Sequence, residues 1–521
     1  MKELIISTSD TTAAEVAERQ YSHSEIMVII SALMLVMLLA ALDQTIVSTA
    51  LPKIAEDLHG LNKISWVATA YLLTSAITTP LYGKISDLFG RKKIFQTAIV
   101  IFLTGSVLCG ISQTMNELVI ARALQGIGAG GLMSLVLAIV GDVIPPRQRG
   151  KYMGYFGAVF GVSSVAGPLL GGFLTQSLSW RWVFFVNLPI GVLALAAVAA
   201  RLHLPVHKLQ HKVDYLGAGL LSAGTVCLLL ATVWGGTTYA WGSVQIIGLL
   251  ISGVMLSGLF ILQEKYASEP IIPLRLFRND IFRVSSILSL LSGIAMFAAI
   301  LYIPLYQQAV RGYTPTKSGL LMLPLVVGLL IASIISGRLT SKLGRYKAFP
   351  IIGTALLAFG LWLFSHITLT TSEWVVGLWM LVVGAGLGTF MQIMTLAIQN
   401  SVSRQEIGTA TSVVTFFRSL GGSFGGAIFG TILINRLAKH LSDIAPGNAA
   451  AQHVNVSSIQ SGVNANLPPQ IAHDVLQAFT LSFRDMFLLA IPFALLAFVV
   501  AFFLREAPLS NTHEAEPLVL E

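Results

Sequence analysis

Asp43 is the residue of this sequence whose position most demands a chemical role. It lies in an apolar run that begins near Ile26 and ends near Leu51, which is long enough to cross a lipid bilayer. A carboxylate in hydrocarbon costs at least a few kcal/mol, and such residues usually face a protein interior, a cavity or a partner. Asp43 is therefore predicted to have a function inside the membrane.

Two arginines lie within other apolar runs. Arg122 stands about four residues, or ~6 Å, inside one helix end, where a long cation can extend outward as an interface anchor. Gln125 lies one turn deeper and glycines follow it, which favours a buried role beside a closely packed helix. Arg418 lies about ten residues into its run, too deep to reach water easily, and structural pairing and substrate binding are equal alternatives for it.

The composition is that of a polytopic membrane protein. Of the 521 residues, 55% are hydrophobic and 11% are charged, against about 25% charged in soluble proteins. The net charge of +8 comes from basic residues in short loops, so nucleic acid is excluded as a partner. Cys109 and Cys227 lie in separate apolar runs without metal-ligand spacing, so we expect no disulfide, metal or cofactor.

Fourteen apolar segments are long enough to be membrane-spanning helices. Alternate loops, beginning with the loop after the second segment, carry more than twice as many Lys and Arg residues as the opposite loops. Because basic loops stay in the cytoplasm, we predict both termini there and the protein in the cytoplasmic membrane. Residues 1–25 lack the pattern of a cleavable signal, so we expect the first segment to remain as a helix.

Two loops repeat one pattern. Residues 83–93 read GKISDLFGRKK after the second segment, and residues 337–347 read GRLTSKLGRYK after the tenth. A second match at nearly the same offset pairs Arg147 with Arg404, each entering a glycine-rich segment. Two halves of six helices, with two helices inserted between them, explain both matches. Parallel repeats of this kind place a substrate cavity between the halves near the midplane.

The repeat and the loops divide the chain into five predicted segments. They are a cytoplasmic N-terminal segment (1–25), an N-terminal six-helix bundle (26–201), two inserted helices (215–263), a C-terminal six-helix bundle (283–505) and a cytoplasmic acidic tail (506–521). The second bundle contains a large polar loop, 435–484, on the predicted outer side. A tolerated surface insertion is favoured for this loop over a gate or a partner site.

The loop 83–93 resembles the signature of the major facilitator superfamily between its second and third helices. The matching residues are Gly83, Asp87, Gly90, Arg91 and Lys92. In that family the loop is a latch between the two halves in the outward-facing state, and the resemblance implies the same role here. The repeat at 337–347 has Ser341 where Asp87 stands, so we expect it to lack the acidic half of the latch.

Other segments resemble the fourteen-helix drug:proton antiporters of this superfamily. The segment around Arg122 matches an arginine-bearing motif associated with proton coupling, and the fifth segment matches a motif that marks exporters and restricts proton leak. The residues of the exporter motif are Gly161, Gly167, Pro168, Gly171 and Gly172. The stretches around Asp43, 180–191 and 416–426 are also similar to this group.

The resemblance implies a proton switch. The superfamily places helices one and four side by side, which would bring Asp43 near Arg122 and Gln125. A carboxylate near a cation is held ionised, whereas one desolvated away from it takes up a proton, so a rocking motion could move protons. We predict that Asp43 is protonated from outside as substrate leaves there, and that it is deprotonated toward the cytoplasm.

The predicted substrate cavity is lined by helices one, four, seven and ten of a twelve-helix core. Its candidate residues are Tyr71, Phe160, Tyr302, Tyr306, Gln307, Met391, Gln392, Phe417 and Arg418. Acidic residues deep in the spans are nearly absent apart from Asp43, and a multivalent cation would want more than one. We therefore expect lipophilic, neutral or monocationic substrates.

Three kinds of function fit a membrane protein of this size. The favoured one is a proton-driven multidrug exporter that works as a monomer among membrane lipids. A dedicated exporter of one endogenous molecule, such as a lipid, antibiotic or siderophore, is the alternative. A membrane enzyme would need a nucleophile with its base, a metal cluster or a large soluble domain, and the sequence shows none. It also lacks a nucleotide-binding Gly-rich Lys-Ser/Thr loop, so a proton gradient is the expected energy source.

Overall fold

The chain folds into a bundle of long helices. The computed structural model describes residues 23–60, 63–202, 213–236, 238–444 and 468–509. Within these ranges the regular elements are helices, and no strand forms. The predicted all-α fold class is therefore confirmed for the described residues.

The helices follow one another along the chain. The first part of the chain forms α1 His23–Asp57, α2 Ile64–Phe89, α3 Arg91–Ile111, α4 Met115–Val143, α5 Pro146–Ser177, the short α6 Trp182–Phe185 and α7 Asn187–Arg201. Two further helices, α8 Tyr215–Trp234 and α9 Val244–Tyr266, come next. The rest of the chain forms α10 Asp280–Ala309, α11 Pro315–Leu321, α12 Leu323–Leu343, α13 Ala348–Phe364, α14 Glu373–Ser401, α15 Ile407–Ile444 and α16 Pro469–Phe502.

Twelve helical segments of the described chain are long and apolar enough to cross a membrane, with α6 and α7 counted as one segment and α11 and α12 as another. The α2 and α13 helices fall on two further predicted spans but are not among the twelve. The 17 residues of α13 rise about 26 Å, less than the ~30 Å of a hydrocarbon core. Length and composition alone therefore do not confirm the predicted count of fourteen.

Helices occupy both described ends of the predicted 435–484 loop. The α15 helix continues to Ile444, and α16 begins at Pro469, well before the predicted start of the last span. The middle of this loop lies outside the described residues, as do most of the N-terminal segment and most of the acidic tail. Helical structure therefore extends into both ends of the predicted loop, as the helical spacing of apolar residues between Gln470 and Thr480 also indicates, and the limits of the loop stay a prediction.

The two halves of the bundle pack by one plan. In the first half α4 packs against α2 and α3, while α1 packs against α5 and α7. In the second half α14 packs against α12 and α13, while α10 packs against α15 and α16. The halves meet where α2 contacts α15 and where α5 contacts α12. This recurrence supports the repeat found in the two loops, and the exact domain limits stay predictions.

Small residues allow the helices of each half to approach closely. A Cβ added at Gly126 of α4 would meet the Tyr71 carbonyl of α2, and one added at Gly384 of α14 would meet the Leu325 carbonyl of α12. Glycine at such positions lets backbones come together where lipid removes the usual hydrophobic driving force. The α2–α4 and α12–α14 pairs therefore depend on glycine in the same way.

Candidate functional site

Asp43 is completely buried inside the first half, where three side chains donate hydrogen bonds to it. Its Oδ2 accepts from Nη1 of Arg122 at 2.7 Å. Its Oδ1 accepts from the amide nitrogens of Gln125 and Asn187, each at 2.8 Å. No more than 2% of any of these four residues is exposed. Breaking such a buried ion pair is costly because the remaining charge stays in a region of low dielectric constant.

Arg122 is held from several directions inside the half, not at its surface. Its Nη1 also donates to Oε1 of Gln125 at 2.7 Å, and its Nε donates to the Val67 carbonyl of α2 at 3.2 Å. The guanidinium lies 4.1 Å from the centroid of the Tyr71 ring, an arrangement that favours a cation over an aromatic face. Tyr71, a predicted cavity residue, therefore supports the arginine in this structure.

A capped helix start positions Arg122 and Gln125. The Thr114 hydroxyl accepts the backbone N–H of Glu117 at 3.2 Å, and the Glu117 carboxylate accepts the N–H of Gln113 at 2.8 Å. These reciprocal bonds satisfy backbone donors at the start of α4. Because residues three apart lie on one helical face, the two functional side chains point together toward α1.

The residues behind Asp43 were not predicted from the sequence. The hydroxyl of Ser106 on α3 accepts from Gln125 at 3.2 Å and from Asn187 at 2.9 Å, and it donates to the Phe184 carbonyl at 2.9 Å. Cys109 lies with its sulfur 3.6 Å from Oε1 of Gln125. These residues carry no charge, and only the place of Asn187 in the stretch 180–191 could have drawn attention to it.

Asn187→Ala is expected to destabilise the protein by about 1–3 kcal/mol and to lower gradient-driven transport less than Asp43→Asn does. The substitution removes one donor to the buried carboxylate and one to Ser106, and a lost buried hydrogen bond has a cost of this size. Thermal unfolding in detergent and transport in vesicles measure both effects. Asn116→Ala is the control, since the exposed Asn116 accepts only from Lys63 at 2.7 Å. Equal stability of the two variants would contradict the role of Asn187.

A second group of charges lies at the end of the bundle where α2 meets α3, which we call the latch end. Asp87 pairs with Arg91 at 3.0 Å, and Arg91 also pairs with Asp142 of α4. The Oδ2 atom of Asp87 accepts from the backbone N–H and the hydroxyl of Thr409, each at 2.7 Å. Thr409 belongs to α15, so the carboxylate of one half binds the helix of the other.

The remaining predicted latch residues have different environments. Gly90 has φ of +94° between α2 and α3, a backbone conformation that favours glycine. A Cβ added at Gly83 would meet the Ser412 side chain and the Gly408 carbonyl of α15. Lys92 donates to the Ala199 carbonyl at 2.7 Å and so contacts its own half.

At the equivalent seam between α5 and α12, the described contacts include an arginine, backbone carbonyls and closely approaching glycines. The Ser341 carbonyl accepts from Nε of Arg147 at 3.3 Å. A Cβ added at Gly150 would meet the Gly337 carbonyl, so the two backbones lie in close contact there. Glycines and backbone carbonyls contribute to this contact, whereas the contact between α2 and α15 includes Asp87.

The exporter motif places α5 between the two halves. A Cβ added at Gly167 or Gly171 would meet threonine side chains of α1, and one added at Gly161 would meet Val326 of α12. Pro168 lies near Gly319 of the second half. A Cβ added at Gly172 would find open space, so close packing does not explain that glycine.

Several predicted cavity residues make internal hydrogen bonds. Tyr302 donates to the Gly426 carbonyl at 2.6 Å, Tyr306 donates to the Thr368 carbonyl at 3.2 Å, and Gln307 accepts from Ser318 at 2.9 Å. These three side chains are buried in the second half. Their contact with a substrate stays a prediction.

The other predicted cavity residues are more accessible. Phe160 is 38% exposed, while Met391, Gln392 and Arg418 are partly buried. Phe417 packs against Phe277, with ring centroids 6.4 Å apart. Among the described residues no group of three His, Cys, Asp or Glu side chains is placed to hold a metal ion.

Comparison with known proteins gives consistent relationships. The model of the Major Facilitator Superfamily matches residues 33–426. Multidrug resistance protein 3 of Bacillus subtilis (strain 168) is 37% identical over 513 residues, covering 97% of this chain and 99% of that protein. Multidrug transporter protein MdtP of the same strain is 40% identical over 425 residues, covering 82% of this chain and 78% of that protein.

A solved structure shows the same fold. The proton:xylose symporter XylE, bound to a sugar analogue, superposes with a TM-score of 0.62 at 16% sequence identity. The superposition covers 96% of this chain and 100% of the symporter chain.

Proposed function

The chain belongs to the major facilitator superfamily of transporters, and we propose on this basis that it is a proton-coupled antiporter. In this proposal it exports lipophilic, neutral or monocationic drugs and toxic compounds across the cytoplasmic membrane by alternating access. The names of the two Bacillus relatives, a multidrug resistance protein and a multidrug transporter, support export of several compounds. They favour this function over a dedicated exporter of one molecule.

The buried pair of Asp43 and Arg122 carries the proposal. Stability alone does not explain charged residues at this site, because well-packed apolar residues of similar volume would often stabilise a buried site as well or better. An ionisable pair inside a membrane-spanning half is instead typical of proton relays. Arg122 donates to Asp43 at 2.7 Å, and a cation in this position stabilises a carboxylate. Separation of the two groups in a water-poor site would favour uptake of a proton.

The contacts between the halves provide a way in which Asp43 and Arg122 could be separated. At the latch end the halves are joined by Asp87 and Thr409, and α5 lies between α1 and α12. Since α5 packs against both α1, the helix that bears Asp43, and α12 of the other half, we infer that it transmits a rocking motion at the latch end to Asp43. Asp43 is thereby coupled to the opening of the cavity.

The remaining features of the proposal concern the whole protein. It places fourteen helices in the membrane, with both termini in the cytoplasm and a monomer as the working unit. The proton gradient is the energy source, without a cofactor and without an enzymatic step.

Wild-type protein in proteoliposomes with an acidic lumen tests this function. With the membrane potential clamped at zero, rhodamine 123, a lipophilic monocation, is expected to accumulate in the lumen while a trapped dye reports luminal alkalinisation. Both signals should vanish in protein-free liposomes and after an ionophore collapses the gradient. Accumulation that ignores the pH gradient, or no protein-dependent accumulation, would contradict the proposed function.

A further inference from the structure

Arg418 carries an interior charge that the described part of the chain leaves unneutralised. It lies on α15, about 17 Å along the helix from its first residue. Within the described ranges no side chain or carbonyl forms a hydrogen bond or ion pair with its guanidinium. Two buried arginines differ: Arg122 pairs with Asp43, and Arg149 donates to the Ile144 and Gly141 carbonyls at 2.7 and 2.5 Å.

The helical face that bears Arg418 points into the bundle. Thr411, seven residues earlier, accepts from Nε2 of Gln399 on α14 at 3.1 Å. Gly425, seven residues later, lies against the Ile294 carbonyl of α10. Since residues seven apart share one helical face, Arg418 faces the space between α10 and α14. Phe417 points elsewhere, toward Phe277 near the inserted helices.

The buried carboxylates of the described helices are bound by other groups. Asp43 is fully buried behind Arg122 and has three donors. Asp87 and Asp142 are paired with Arg91 at the latch end, and Glu264 of α9 accepts from two backbone N–H groups. Among the described residues, the charge that the interior offers to a ligand is therefore positive.

We propose that Arg418 binds a carboxylate or another anionic oxygen of the exported compound, so that lipophilic zwitterions are the preferred substrates. This inference rests on the proposed function and narrows its substrate class, because a zwitterion is neutral overall yet presents an anion. A guanidinium binds a carboxylate through two parallel hydrogen bonds, and such bonds are strongest where water is excluded. Substrate binding would also neutralise the charge that the described residues leave unpaired.

Two dyes that differ by one methyl group test the proposal. Rhodamine 110 has a free carboxylate at neutral pH and is a zwitterion, and rhodamine 123 is its methyl ester. In proteoliposomes, Arg418→Gln is expected to lower the transport efficiency for rhodamine 110 by about tenfold or more. The efficiency for rhodamine 123 should change less than about twofold, which also shows that the variant folds. Arg418→Lys should fall between wild type and Arg418→Gln, since it keeps the charge but loses the paired geometry.

Arg436→Gln is the matched control. Arg436 lies on the same helix, has a side chain 40% exposed and pairs with Asp485 at 3.4 Å. Its replacement should therefore leave the ratio of the transport efficiencies for the two dyes unchanged. The proposal would be overturned if Arg418→Gln lost transport of both dyes equally or retained transport of both. It would also be overturned if the wild type transported rhodamine 123 but not rhodamine 110. Failure of the wild type to carry either dye along the pH gradient would instead contradict the proposed antiport.

Discussion

Replacement of Arg122 by Met is expected to abolish gradient-driven transport and to lower the free energy of unfolding by about 3–5 kcal/mol. Met fills a similar volume but leaves Asp43 without its cation, at a position where none of the carboxyl residue is exposed. The neighbouring amides of Gln125 and Asn187 can donate to the carboxylate, yet they cannot balance its charge. Thermal unfolding in detergent and dye accumulation in proteoliposomes measure the two effects.

The double variant Asp43→Asn with Arg122→Met separates stability from transport. It removes both charges, so most of the lost stability should return, while transport should stay absent because no proton carrier remains. Arg283→Met is the control, since its pair with Asp280 at 2.6 Å has an arginine side chain 55% exposed and is worth at most about 1 kcal/mol. A double variant no more stable than Arg122→Met would contradict a charge pair at this site.

Asp87→Asn is expected to shift the protein toward a state that is open at the latch end. The substitution removes the charge that accepts two hydrogen bonds from Thr409 and pairs with Arg91. Bonds to a charged group are worth about 1.5–3 kcal/mol each, so the equilibrium between closed and open states should change by about tenfold or more. Transport should fall because the closed latch end is poorly populated.

Spin labels at Lys93 and Lys342 can report this shift, because both side chains are exposed near the latch end and belong to different halves. The labels require Cys227→Ala, while Cys109 is fully buried and should not react. The distance distribution should move to longer values in Asp87→Asn. Lys317→Gln is the control, since Lys317 pairs with Glu373 at an exposed site away from this end. An unchanged distribution in Asp87→Asn would show that Asp87 does not hold the halves together.

The sequence predicted the all-α fold class and the duplicated helical plan because both depend on local properties. Hydropathy marks long apolar helices, and the two glycine-bounded loops at 83–93 and 337–347 show the repeat directly. The count of spans was harder, since α13 is only 17 residues long and length does not show whether such a helix crosses the membrane.

The central site was predicted from its charged residues, and its uncharged residues were not predicted because they do not stand out in an apolar run. Asp43 and Arg122 attracted attention because ionised groups are rare in apolar runs, and the structure brings them together with Gln125. Ser106 and Asn187 complete the arrangement but are small polar residues, which membrane helices commonly contain for packing.

Aromatic residues were the least predictable from the sequence. The direction of a ring depends on the rotation of its helix against its neighbours, which apolar composition does not determine. Tyr71 therefore lies against Arg122, and Tyr302 bonds to α15.

Transport by Asp43→Asn in proteoliposomes decides whether this carboxylate carries the proton. The variant is expected to lose accumulation of rhodamine 123 driven by an acidic lumen, and to lose the accompanying luminal alkalinisation. It should still exchange labelled for unlabelled dye when no gradient is imposed, because that exchange requires alternating access but no net proton movement. Undiminished accumulation along the pH gradient in Asp43→Asn would contradict the proposed mechanism.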